Sequence, residues 1–189
     1  RLKKYGKRVV VAGCMPLGEP EKVKLAAPEA VMIGPRSVTR IWEAVERGVS
    51  VLEEVDEVKL GCPRVRRNPV VAIIPVSEGC AWKLCSFCIV ARIRGSFKSY
   101  PISLIIAEVK RFVEEGAREI WLTSQDMGSY GIESGRSKLP ELLEAVSRIE
   151  GQFFVRVGMM NPLYVYSVRE RLTEAYMGAK IFKFLHLPV

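Results

Sequence analysis

From Val70 onward the chain settles into a repeating rhythm, an apolar extended run followed by an amphipathic helical stretch. Val70–Val76 is a nearly unbroken apolar segment, which predicts a strand buried on both faces. Ile102–Glu115 sets Ile105, Val109, Phe112 and Val113 on one helical stripe and ends at Gly116. Glu119–Thr123 predicts a second strand, and Pro140 opens a helix carrying Leu142, Leu143, Val146 and Ile149. Phe153–Val157 then predicts a third strand, Val165–Tyr176 a third helix and Ile181–Leu187 a fourth strand. Repeated β-α units require a parallel sheet with helices outside, and the right-handed crossover rule restricts the topology to a barrel or a doubly wound sheet. The sequence stops in or just after the fourth strand, so the expected α/β architecture is a partial barrel.

Residues 1–50 show a separate, shorter β-α-β-α pattern: the run Arg8–Ala12, a helical stretch at Glu19–Ala27, a strand at Val31–Ile33, and a helix from Ser37 to about Arg47. Ser37 is placed as its N-cap and Gly48 as its terminator. Residues 51–68 are charged and irregular, with Gly61 and Pro63 as breakers, and read as a linker before a domain at 69–189.

In parallel β-α folds, chemistry gathers at the C-terminal ends of the strands. The segments that fall there are the cysteine loop after strand one, Ser124–Tyr130 after strand two and Gly158–Pro162 after strand three. Charge marks the same region. Of a net +8, the window Arg64–Lys98 carries Arg64, Arg66, Arg67, Lys83, Arg92, Arg94 and Lys98 against Glu78 alone. A basic rim around a reactive loop suits a nucleic acid, and equally a solvated loop. No apolar run is long enough to span a bilayer, and no export signal is present. A cytoplasmic protein without a membrane partner is expected, its cysteines mostly reduced.

Cys80, Cys85 and Cys88 are separated by four and two residues. Three close thiols on a strand-following loop suit a [4Fe–4S] cluster that keeps one iron open. Structural zinc needs a fourth ligand, for which Cys62, Cys14 and His186 are available. A disulfide, or inert thiols, is the third alternative. Asn occurs only at 68 and 161 and Gln only at 125 and 152, an amide depletion typical of thermophiles, where intracellular disulfides are commoner.

The segment Asn68–Pro101, with Phe87 before the last cysteine, Arg94–Gly95 after it and Ser99–Tyr100–Pro101 beyond, resembles the cluster loop of the radical S-adenosylmethionine methylthiotransferases. Glu119–Gly131 (EIWLTSQDMGSYG), Arg156–Pro162 (RVGMMNP) and Phe184–Val189 (FLHLPV) are similar to three further segments of that family. They resemble most its archaeal and eukaryotic branch, which acts on N6-threonylcarbamoyladenosine in tRNA. Val9–Pro16 (VVVAGCMP) and Ala27–Pro35 look like the end of the family's N-terminal domain. One departure is plain: the family writes Cys-x-x-x-Cys-x-x-Cys, and this loop has one more residue between Cys80 and Cys85.

The resemblance implies a partial radical S-adenosylmethionine barrel behind the C-terminal part of a methylthiotransferase domain. It implies a [4Fe–4S] cluster on Cys80, Cys85 and Cys88, and Cys14 as one ligand of a second [4Fe–4S] cluster. S-adenosylmethionine, tRNA and an electron donor are the implied partners, and the implied reaction places a methylthio group on C2 of the modified adenosine next to the anticodon. Phe87 would shape the adenine pocket or simply pack its loop. Ser124, Gln125 and Asp126 match the loop that meets the methionyl amine, or make an ordinary turn. Arg156 would pair with the cofactor carboxylate as a fork donor, or form a structural ion pair. Two other functions stay open: a methylthiotransferase acting on a ribosomal protein, and a non-catalytic zinc- or cluster-stabilised RNA-binding fragment.

Overall fold

The computed structural model describes residues 5–53, 55, 58–82 and 85–188. They group into two compact units, one drawn from residues 1–58 and 84–95, the other from 59–83 and 96–189.

In the first unit, β1 (Val10–Ala12) and β2 (Val31–Ile33) run parallel, with Val10 opposite Val31 and Ala12 opposite Ile33. Two short helices join them, α1 (Met15–Gly18) and α2 (Pro20–Ala26), each with proline in its first turn, where the missing N–H costs nothing. Val51, at the start of the expected linker, bridges to Ile33 and completes a small core with Val31, Ile33 and Ala44. The helix expected from Ser37 to about Arg47 spans residues 38–47, opening as a 3₁₀ turn, Val38–Arg40, and passing through 41–42 into a π turn, Glu43–Arg47, ended by left-handed Gly48. Ser37 caps neither: its buried hydroxyl donates to the Glu53 carbonyl at 2.6 Å. A turn of helix from further along the chain, α3 (Val90–Ile93), packs on α1, and a Cβ on Gly18 would stand 3.1 Å from Ile89 Cδ1.

In the second unit, β3 (Val71–Pro75), β6 (Glu119–Thr123) and β7 (Phe154–Val157) form a parallel sheet in the order β3-β6-β7. A small antiparallel pair, β4 (Ser77–Glu78) and β5 (Lys98–Ser99), lies beyond β3. The crossovers are α4 (Ile102–Glu114) and α5 (Leu139–Ser147), as the apolar stripes predict. The predicted third helix is broken into α6 (Pro162–Tyr166) and α7 (Arg169–Tyr176). Helix α4 packs on β3 and α5, and α5 packs on α7.

Strand alternation decides what is core. Ala72, Ile74, Ile120, Leu122, Val155 and Val157 are buried with Ile105, Val109, Phe112, Leu142, Leu143 and Val146. The expectation that Val70–Val76 is buried on both faces is not met, because Ile73 is 51% exposed. Its neighbours across the sheet on that open face are Trp121 and then Arg156. The predicted fourth strand shrinks to a single parallel bridge between Val155 and Ile181.

Residues read as linker are held to the second unit by charge. Lys59 meets Glu78 at 2.6 Å, and the Gly61 amide and Arg64 both reach the buried carboxylate of Glu108. Among the described residues no helix is long and apolar enough to cross a membrane.

Candidate metal and cofactor site

Because β3, β6 and β7 are parallel, the segments that follow them leave the same edge of the sheet. The Val76 amide donates to the Thr123 carbonyl at 2.9 Å and the Gly158 amide to the Leu122 carbonyl at 3.0 Å, fixing the heights at which the three loops depart.

The first loop turns at Gly79, whose φ is +77° and whose missing side chain matters: a Cβ would sit 2.8 Å from the Ser96 carbonyl oxygen. A left-handed residue with backbone that close is a position for glycine alone. Cys80 follows at once. Its half-buried thiol donates to the Trp82 carbonyl at 3.3 Å, and the Trp82 ring meets Tyr164 of α6 edge-on, centroids 6.3 Å apart. Burial, then Asp126 and then Cys80, push the Tyr164 hydroxyl above its ordinary pKa.

Cys85 and Cys88 are exposed free thiols in one turn, closed by the Cys88 amide on the Cys85 carbonyl at 3.3 Å. They belong to the first unit and Cys80 to the second, and Lys83 lies outside the described residues. Among the described residues no three Cys, His, Asp or Glu side chains gather at metal-binding range. Among the described residues no two cysteines are joined by a disulfide. Of the other candidate ligands, Cys62 is half-buried in the second unit, and His186 accepts the Met160 amide at its own carbonyl with its ring 6.5 Å from Phe184. Phe87 is 92% exposed.

Cys14 stands at the start of α1, where Arg94 donates to its sulfur at 3.5 Å. The carbonyl of Arg94 is in turn held by Arg36, a buried arginine, at 3.2 Å.

The second loop is built around a carboxylate. Asp126 is 2% exposed, and its Oδ1 accepts from the amides of Gly128 at 2.8 Å and Asn161 at 2.9 Å. Ser124 Oγ accepts the Asp126 amide at 2.8 Å. Burial raises the Asp126 carboxyl above its usual pKa, against the backbone amides that favour the ion. Among the described residues, three oxygens of this region are buried without a partner: Ser77 Oγ, Gln125 Oε1 and Asp126 Oδ2. Such atoms call for a donor or acceptor from elsewhere. In the third loop Asn161 caps α6 through Oδ1, 3.0 Å from the Leu163 amide, and the Met127 amide ties the second loop to the Met159 carbonyl at 2.8 Å.

Arg156 makes no structural ion pair among the described residues. Its guanidinium lies between two rings, 5.1 Å from the Trp121 centroid and 4.8 Å from that of Phe184. Trp121 and Phe184 were not singled out by the sequence. The signal for Trp121 was present, since its place between Ile120 and Leu122 turns it to the opposite face of β6.

No family model matches the chain. It is 42% identical over 188 residues to a probable threonylcarbamoyladenosine tRNA methylthiotransferase of Methanothermobacter thermautotrophicus, a match covering 97% of this chain and 44% of that protein. The corresponding protein of Archaeoglobus fulgidus is 41% identical, with 100% of this chain and 45% of the relative covered. The threonylcarbamoyladenosine tRNA methylthiotransferase of Drosophila melanogaster is 36% identical, with 97% and 35% covered. The chain thus spans less than half the length of these relatives. Among solved structures it is similar to OxsB, a cobalamin-dependent S-adenosylmethionine radical enzyme solved with aqua-cobalamin and S-adenosylmethionine bound. The TM-score there is 0.63 at 12% identity, covering 95% of this chain and 30% of that one, which gives the fold.

Proposed function

We propose, from the premise that this chain belongs to the threonylcarbamoyladenosine tRNA methylthiotransferase family and spans under half the length of its members, that it carries the part of such an enzyme that holds the radical cofactor. The reaction is transfer of a methylthio group to C2 of N6-threonylcarbamoyladenosine in tRNA. Identity of 42% sustained across 97% of the chain carries the reading. The names of the relatives favour tRNA over a ribosomal protein as the substrate.

Cys80, Cys85 and Cys88 are the proposed ligands of a [4Fe–4S] cluster. Their donor chemistry fits: three thiols in one loop, two of them exposed. When bound, the cluster would supply the single electron that opens the sulfonium of S-adenosylmethionine, with an external electron donor as its source. Cys14 is proposed as a ligand of a second [4Fe–4S] cluster, with Arg94 placing a positive donor against its sulfur.

The chain's own groups then bind and orient. Ser77 Oγ, Gln125 Oε1 and Asp126 Oδ2 are buried and unsatisfied among the described residues where the strands end, which suits a polar ligand bringing an amine and hydroxyls. Asp126 serves that site chiefly by fixing two loops through Oδ1. Phe87, exposed on the turn between two cysteines, is free to cover a bound adenine. The basic window from Arg64 to Lys98 provides charge for an RNA backbone. Residues 1–50 are proposed as the end of the N-terminal domain, 51–68 as the connection and 69–189 as barrel, in a cytoplasmic enzyme.

Anaerobic reconstitution of the full polypeptide that contains this chain, followed by reduction with S-adenosylmethionine, tests the reading. Bound iron and sulfide, released 5′-deoxyadenosine and a methylthio product on tRNA are expected. Zinc in place of iron, with RNA binding indifferent to S-adenosylmethionine, defeats it.

A further inference from the structure

Arg156 occupies mid-strand in β7, directly opposite Trp121 on β6. The open face of the sheet offers aromatic surface around it. Phe154 and Phe182 stack with centroids 5.3 Å apart, and Phe184 covers the guanidinium from the side away from Trp121's strand. Contact with ring faces uses the positive charge of a guanidinium without consuming its five N–H donors. Among the described residues those donors meet no carboxylate and no carbonyl. Other arginines of the same unit are spent differently: Arg64 and Arg111 pair with Glu108, and Arg136 and Arg171 pair with Glu141. Arg156 is therefore an exposed cation resting against two rings, its fork unused among the described residues, on a surface suited to stacking.

The substrate named for the relatives differs from plain adenosine by a planar urea and a threonyl carboxylate. That carboxylate is an anion attached to the base itself, so it distinguishes this nucleotide from every unmodified one. A guanidinium matches a carboxylate bidentately, and flanking rings match a planar base and urea. We infer that Arg156, held between Trp121 and Phe184, is a specificity-determining residue that takes the threonyl carboxylate of the substrate nucleotide. This rests on the methylthiotransferase reading above and assigns a residue to substrate choice within it. The competing role for the same fork is the carboxylate of S-adenosylmethionine.

The test uses the full polypeptide, anticodon stem–loop RNAs carrying N6-threonylcarbamoyladenosine, its methyl ester or plain adenosine, and the variants Arg156→Met and Arg156→Lys. Binding of each RNA and of S-adenosylmethionine is measured by equilibrium methods, with thermal melting as a control for folding. The wild type should prefer the free acid over the ester and over adenosine by about 10- to 100-fold, the worth of a charge-assisted pair. Arg156→Met should bind all three RNAs alike, and Arg156→Lys should keep part of the preference. Affinity for S-adenosylmethionine should be unchanged in both.

If Arg156→Met keeps the preference for the free acid, the inference is wrong. It is equally wrong if that variant loses S-adenosylmethionine instead. A wild type that binds neither S-adenosylmethionine nor the modified RNA overturns the parent reading, whatever the variants do.

Discussion

The carboxylate of Asp126 accepts the backbone amide of Asn161 at 2.9 Å, across 35 residues of sequence, and so joins the loop after β6 to the loop after β7. The same oxygen also accepts the Gly128 amide. Asp126→Ala should destabilise the fold by about 2–4 kcal/mol in urea unfolding, because buried amides lose their acceptor. Asp126→Asn keeps an oxygen there and should cost less. The pH dependence has a definite sign. Burial raises this carboxyl above its usual 3.8, so its contribution is complete below the unfolded value and is lost as pH rises through the folded one. The asparagine variant should therefore gain on the wild type as pH is raised above about 4 toward neutrality.

Gly79 leads directly into Cys80 and has no room for a side chain, with the Ser96 carbonyl 2.8 Å from where a Cβ would go. Gly79→Ala should cost about 2 kcal/mol or more, from left-handed strain and displaced backbone. Iron bound after reconstitution should fall more steeply than the melting temperature, since the shift is delivered to a proposed ligand. Iron analysis beside thermal melting reads both.

Single Cys→Ala changes at Cys80, Cys85 and Cys88 should each abolish reductive release of 5′-deoxyadenosine. Cys62→Ala should leave iron content and product unchanged, which separates the loop thiols from a bystander. Retention of full iron by any variant of the trio would remove that residue from the ligand set.

Glu141 on α5 is shared by Arg136 at 2.6 Å and Arg171 of α7 at 2.8 Å. Burial works to raise its pKa, but the two arginines outweigh it and hold the carboxyl down at about 2. A depressed acid contributes stability above its unfolded pKa and loses it as pH falls through the folded one. Glu141→Gln should cost about 1 kcal/mol at neutral pH, as partly exposed pairs do. The gap from wild type should close between pH 4.5 and about 2, followed by chemical denaturation at each pH.

The β-α succession was legible because it rests on long periodic segments: α4 and α5 fall where their apolar stripes predict, and β6 and β7 where theirs do. What failed were readings that depend on partners distant in sequence. Val70–Val76 is apolar at every position, so periodicity could not reveal that Ile73 faces outward. Ser37 had the chemistry of a cap, but the Glu53 carbonyl claimed its hydroxyl. Ile181–Leu187 has the composition of a strand, yet only Ile181 finds a neighbour in the sheet. At the candidate site, Asp126 and Arg156 were legible as residues but not the partners the fold gives them, the Gly128 and Asn161 amides for one and the Trp121 and Phe184 rings for the other, because those partners are distant in sequence or fixed only by strand register.

The helices sheathe only one side of the three-stranded sheet, and β6 consequently encodes two programmes in alternate letters. Ile120 and Leu122 answer to folding, while Trp121 between them answers to whatever visits the uncovered side. A saturation scan through this strand would show tolerance and damage beating with a period of two. Abundance would fall at Ile120 and Leu122, and binding at the uncovered face would change at Trp121.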